Sequence, residues 1–196
     1  MVGRCCDQKD RHLPTVAMDN FIRHLIAPPE KKLSGFVRSG IIAADLGCGP
    51  GYFTIPMAKM IGPSGMVYAV DSDPRSIQAL RTKSEALGLE SIVDCRTSSA
   101  ADVSYIPTEF VDFVFANGLL CCMTEHRRAV AEIKRIMKPT GIAYLSVAKI
   151  FRRSDSRAVR SEEWRQILSG FRVEENREGI LNRWAIVSHN VNMTNA

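Results

Sequence analysis

No stretch of this 196-residue sequence approaches the ~18 uninterrupted apolar residues that a membrane-crossing helix requires, which argues against a transmembrane enzyme or channel. The opening MVGRCCDQKDR is polar and basic and has no apolar centre, so no secretory signal is expected and a cytoplasmic location follows. Among Cys5, Cys6, Cys48, Cys95, Cys121 and Cys122 there is no Cys-x-x-Cys pair, and the four histidines are scattered. Metal-ligand spacing is therefore missing and no metal is expected; the cysteines read as free thiols. Internal repeats, low-complexity tracts and a Ser/Pro-rich linker are also lacking, which excludes solenoid and multi-module readings. Charge of one sign is not dominant either. The net charge of +5 is compatible with nucleic acid or anionic metabolites but demands neither.

What is present fits one α/β domain. Residues 1–39 read as an N-terminal helical cap and residues 40–190 as the core, a length sufficient to bury a core without disulfides. Met18 to Val37 holds two short helical stretches separated by Pro28-Pro29. Apolar strands then alternate with amphipathic helices. Strands are expected at Ile41–Leu46, Met66–Val70, Ser91–Arg96, Val111–Ala116 and Ile142–Ala148. Asp73-Pro74 is an N-cap followed by proline at the first helical position, with Ile77, Leu80, Ser84 and Leu87 on one face and Gly88 as the stop. Thr124 is expected to cap a helix presenting Val130, Ile133 and Met137 inward and ending at Pro139. Last come a short helix near Glu162–Leu168 and two strands in succession, Phe171–Glu175 and Trp184–Ser188. Alternation predicts a doubly wound, mostly parallel seven-stranded sheet; two final strands with no helix between them make its last strand antiparallel.

The chemistry concentrates directly after the first strand, at Asp45-Leu46-Gly47-Cys48-Gly49-Pro50-Gly51-Tyr52. Alternate glycines let the backbone turn tightly and approach a ligand, and the next helix offers free amides at its start. Asp71 ends the second strand 22 residues beyond Gly49, the spacing at which an acid accepts hydrogen bonds from ribose hydroxyls. Tyr52 occupies the sixth position of what would be G-x-G-x-x-G, so the dinucleotide fingerprint fails and a nicotinamide enzyme is disfavoured.

Asp45 to Thr54 resembles the first motif of the class I S-adenosylmethionine-dependent methyltransferases. Val70-Asp71, Ala101-Asp102-Val103, Phe113 to Asn117 and Lys138-Pro139-Thr140-Gly141 are similar to that family's later motifs, in the right order. The resemblance spans about Gly40 to Ser188. It implies a Rossmann-like methyltransferase fold and S-adenosylmethionine as cofactor. By it, Gly47, Cys48, Gly49, Gly51 and Tyr52 would wrap the methionine portion and Asp45 would organise the loop. Asp71 would take the ribose, with Ser72 beside the adenine. Asp102 would meet the adenine amine, the Val103 amide a ring nitrogen, and Asn117 would face the methionine end. Ser72, where the family often has a larger apolar residue, and Thr140, where it usually has glycine, are departures.

Methyl transfer from an activated sulfonium requires alignment and exclusion of water more than a catalytic base, so the acceptor leaves a faint trace. Asn117-Gly118-Leu119-Leu120 is not the Asn-Pro-Pro-aromatic of adenine and glutamine methyltransferases. Candidate catalytic residues are His24, Cys121 and Cys122, with His126 assigned to the surface. Lys149 to Arg160 carries five positive charges against one negative, and Arg152 and Arg153 in it are candidates for binding an anionic acceptor. A small-molecule methyltransferase follows. The alternatives are an RNA or protein methyltransferase, or a methyltransferase-like domain that binds cofactor without turnover.

Overall fold

A computed structural model describes residues 28–149 and 155–190. The first of the two helical stretches expected before Val37 thus lies outside the described residues. The second is a short helix, α1 (Pro29–Leu33), with proline at its first position, where a missing amide costs nothing. It is followed by β1 (Ile42–Leu46), α2 (Thr54–Ile61), β2 (Met66–Asp71), α3 (Pro74–Ala86), β3 (Val93–Thr97) and β4 (Val111–Asn117). A 3₁₀ turn at Leu120–Cys122 leads to α4 (His126–Ile136), β5 (Met137–Ala148), α5 (Ser161–Ser169), β6 (Arg172–Glu178) and β7 (Asn182–Ser188).

The seven strands form one sheet in the order β3-β2-β1-β4-β5-β7-β6. β1 to β5 pair in parallel, and β7 lies antiparallel between β5 and β6, as the unbroken succession of two strands requires. Strand alternation sends Ala43, Phe113, Phe115, Tyr144 and Ile186 into a core with α1, α2 and α3. Ala44, Val114, Leu145 and Val187 face the opposite core, built with α4 and α5. Among the described residues no helix is long and apolar enough to cross a membrane.

Several local expectations need correction. The Asp73 carboxylate caps α3 by accepting the Arg75 amide at 3.0 Å, and Gly88 follows with φ +64°, but Leu87 is 50% exposed because the helix ends at Ala86 and Leu87, its C-cap, no longer continues the buried face. Thr124 is not the cap of α4, which starts after Glu125 with no side-chain cap. That helix ends at Ile136, not Pro139. Proline disfavours helical geometry in the residue before it, and Met137 is already extended (ψ 130°) and paired with Val111. Between β3 and β4 the described chain runs through turns, with no helix.

Candidate active site

β1, β2, β4 and β5 run parallel, so Leu46, Asp71, Asn117 and Ala148 end at one edge of the sheet, the side on which α/β folds bind ligands. The glycine turn is fastened there by its own backbone. The Gly47 and Cys48 amides both donate to the Val70 carbonyl, at 2.8 and 3.0 Å. Gly47, Gly49 and Gly51 all hold positive φ, which a side chain would strain. Leu119, from the loop after β4, packs so closely that a Cβ on Gly47 would lie 3.1 Å from its Cδ1.

Asp71 faces this turn. Its Oδ2 accepts the Gly49 amide at 2.8 Å and its Oδ1 the Asp73 amide at 2.9 Å. A carboxylate accepts through both oxygens, the chemistry that ligand hydroxyls require. Beneath the turn, Asp45 is buried and its Oδ2 accepts the Thr54 hydroxyl at 2.6 Å. Burial pushes its carboxyl up to about 7, against the Thr54 bond, and the nearby Asp71 charge raises it further. From α3, Lys83 donates to the Pro50 carbonyl at 3.1 Å and holds the tip.

Other residues expected here have different surroundings. Cys48 is buried, and burial pushes its thiol well above its ordinary value, so it does not present a thiolate. The Tyr52 ring is committed to packing edge-on against Phe53, 4.8 Å between centroids. Ser72 is half-buried and Asp102 exposed. The Val103 amide, expected to meet an adenine nitrogen, instead donates to Glu132 Oε2 at 2.9 Å and is thereby taken. Arg135 holds the same loop through the carbonyls of Val103 and Ile106, at 2.9 and 2.8 Å, and through a forked pair with Glu132.

At the end of β4, Asn117 Oδ1 accepts from both Ser146 Oγ and Lys32 Nζ, each at 3.0 Å. Gly118 next to it has φ +73° and open space where a Cβ would stand. Phe53, Phe115, Tyr144 and Trp184 form an aromatic run beside this group, the last three stacked at 5.1 and 5.8 Å. Burial pushes the Tyr144 hydroxyl up to about 12, so it stays protonated at neutral pH. Sequence reasoning missed Lys32, Tyr144 and Ser146. A signal existed, since Phe115↔Tyr144 and Asn117↔Ser146 follow from pairing the fourth and fifth strands in parallel register.

Cys121 meets this group at the Gly118 backbone, from the other face of the sheet. Its thiol donates to the Gly118 carbonyl at 3.2 Å and accepts the Ala148 amide at 3.4 Å, inside the core on the other face of the sheet. Cys122 packs against that same core. His126 is 5% exposed, not at the surface: its ring nitrogens meet Glu163 Oε1 at 2.5 Å and the Met123 carbonyl at 2.7 Å, joining α4 to α5. His24, Arg152 and Arg153 lie outside the described residues.

Residues 44–145, over half of the chain, match the family described as methyltransferase domain. The demethylmenaquinone methyltransferase of Lactobacillus johnsonii is 32% identical over 111 residues, covering 57% of this chain and 44% of that protein. The trans-aconitate 2-methyltransferase of Escherichia coli is 27% identical over 99 residues, covering 50% and 36%. The chain spans less than half the length of the curated relatives it matches. Among solved structures, a SAM-dependent methyltransferase from Aquifex aeolicus is similar with a TM-score of 0.75 at 26% identity, covering 88% of this chain and 95% of that one.

Proposed function

This chain belongs to the methyltransferase domain family, and from that membership we propose that it uses S-adenosylmethionine to methylate a small, anionic acceptor. The observation that carries the reading is the bond from the Gly49 amide to Asp71, which sets a ribose-binding acid against a positive-φ glycine turn at the ligand edge. The residues present fit the cofactor. Asp71 sets a carboxylate against the glycine turn, Gly118 leaves space beside Asn117, and Asp45 places a carboxyl under the loop. When bound, the cofactor supplies an electrophilic sulfonium methyl.

The chain's own residues bind, orient and exclude water. Leu119, packed against Gly47, and Phe53 put apolar surface beside the glycine turn, which would keep competing water from the methyl group. Asn117, fixed by Ser146, offers an oriented amide at the methionine end. None of these steps requires a base, and Cys121, buried in the opposite core, and Cys122, packed against that core, are not proposed as nucleophiles.

Support for an anionic acceptor came first from the basic segment after β5. In its described part Lys149 is paired with Glu178 and Arg157 with Asp155, at 2.8 and 2.9 Å; Arg152 and Arg153 are the residues proposed to meet the acceptor's charge. The names of the relatives, which act on small molecules, favour that substrate size over RNA or protein. Calorimetry tests the cofactor assignment: S-adenosylmethionine and its demethylated product should bind, and NAD should not. Preference for NAD would overturn it.

A further inference from the structure

We propose that the tip of the β6–β7 hairpin docks on an anionic lipid bilayer, with Ile180 and Leu181 entering its apolar layer. The docking is argued from the hairpin itself; what it implies about the acceptor rests on the methyltransferase reading.

Ile180 is 92% exposed and Leu181 65%, the two most exposed large apolar side chains among the described residues. With Gly179 they join β6 to β7, and the Gly179 amide donates to the Asn182 carbonyl at 2.8 Å to close the loop. The residues suited to a turn, Gly179 and Asn182, stand at its base. The tip, where Gly, Asn, Asp or Ser ordinarily serves, carries two aliphatic side chains that water penalises. Lys149, the first residue after β5, holds this loop in place. Its amide donates to the Leu181 carbonyl at 2.8 Å and its Nζ to the Gly179 carbonyl at 2.9 Å. Ala148 pairs with Asn182, so the tip stands beyond the end of β5, at the edge where Leu46, Asp71 and Asn117 also end.

The size of the patch selects its occupant. Two side chains are a small part of the ~800 Å² that each partner gives to a stable protein interface. The patch does not spread either: β6 ends in Glu174-Glu175-Asn176-Arg177-Glu178 and β7 begins with Asn182-Arg183, all polar. A bilayer accepts such an isolated apolar point, because a fluid interior requires no matching shape. Charge agrees. Lys149, Arg172, Arg177 and Arg183 stand on and beside the hairpin against Glu174, Glu175 and Glu178, four cations to three carboxylates, and the chain as a whole carries +5. A modest apolar anchor combined with attraction to anionic lipid supplies the two signals that stable attachment requires. With the tip in the bilayer, the ligand edge of the sheet lies at the lipid surface. The acceptor is then an amphiphile taken from the membrane.

The test is co-sedimentation of the full chain with phosphatidylcholine vesicles, made with and without phosphatidylglycerol. Binding to the anionic vesicles should be at least fivefold tighter than to the neutral ones and should weaken as salt rises. The double variant Ile180→Ser, Leu181→Ser should bind at least tenfold more weakly, the loss expected from two aliphatic side chains. Its thermal midpoint should match that of the unsubstituted protein, since both side chains lie outside the core. No binding, equal binding to the two kinds of vesicle, or binding that survives the double variant would overturn the proposal. So would a dimer in sedimentation that the double variant abolishes, which would give the tip to a second copy of the chain. These measurements use no cofactor, so their failure leaves the cofactor assignment to its own calorimetry. Failure of that calorimetry would remove the conclusion about the acceptor and leave the docking in place.

Discussion

The Asp71 carboxylate accepts the backbone amide of Gly49 at 2.8 Å, so the acid that the cofactor's ribose would use is also the peg on which the glycine turn hangs. With Asp73 held by its other oxygen, Asp71 supports both the binding loop and the start of α3. On the proposed function, binding and stability would be coupled through this one side chain.

Asp71→Ala should therefore weaken cofactor binding by roughly 1.5–3 kcal/mol, the range for hydrogen bonds to a charged group, and also lower stability by about 1–2 kcal/mol through two amides left without their acceptor. Calorimetry and urea unfolding measure the two effects separately. Unchanged cofactor affinity alongside lost stability would reduce Asp71 to a structural fastener.

Two glycines with similar backbone angles should differ in cost when replaced. Gly88 has φ +64° and no heavy atom within 4 Å of an added Cβ, so Gly88→Ala should cost about 1 kcal/mol, the strain of the left-handed region alone. Gly51 has φ +94° and its Cβ would meet Leu80 Cδ1 at 2.5 Å, in a fully buried side chain. Gly51→Ala should cost that strain plus about 1–3 kcal/mol of overpacking, and weaken cofactor binding as well. Equal losses in urea unfolding would show that Leu80 moves aside freely.

Asp45 makes a pH prediction. Its carboxyl lies near 7 in the folded chain and in the ordinary range, near 4, when unfolded. Between these values the folded state holds a proton that the unfolded state has released, so its contribution to stability falls as pH rises from about 4 to about 7 and is level above that. Asp45→Asn should remove this fall, worth on the order of 4 kcal/mol across the window. Urea midpoints of the two proteins from pH 4 to pH 8 check it; parallel profiles would refute it. Thr54→Val, which removes the hydroxyl donated to Asp45 at 2.6 Å, should move the carboxyl titration upward in ¹³C NMR.

Arg135 reaches two carbonyls of the Val103–Ile106 loop and both oxygens of Glu132. Lysine cannot reproduce that planar fork. Arg135→Lys should cost about 1–2 kcal/mol and speed amide hydrogen exchange at Val103 and Ile106. Exchange that stays at the unsubstituted rate would mean that the loop is held by its apolar contacts alone.

Local signals carried far in this chain. The strand–turn–helix at Asp45 to Thr54, the capping pair Asp73-Pro74 and the unbroken final strand pair each depend on a few adjacent residues, so their patterns could be read directly. The extent of the parallel sheet followed from alternation. Errors arose where neighbours along the chain mislead. Met137 looked helical by spacing, but pairing with Val111 and the proline two residues on draw it into a strand. His126 looked exposed at a helix start, but α5 covers it with Glu163.

The amino-acid order alone specified the glycine turn, the acid that faces it and the alternation that builds the sheet, because each is set by backbone freedom and side-chain periodicity within a few residues. Contacts between distant segments belonged to the folded chain. Lys32 meets Asn117 across 85 residues, and Glu132 takes the Val103 amide across 29. Such pairings depend on strand order and on which helix covers which face, and those follow from how the whole core closes, which no short window of sequence contains.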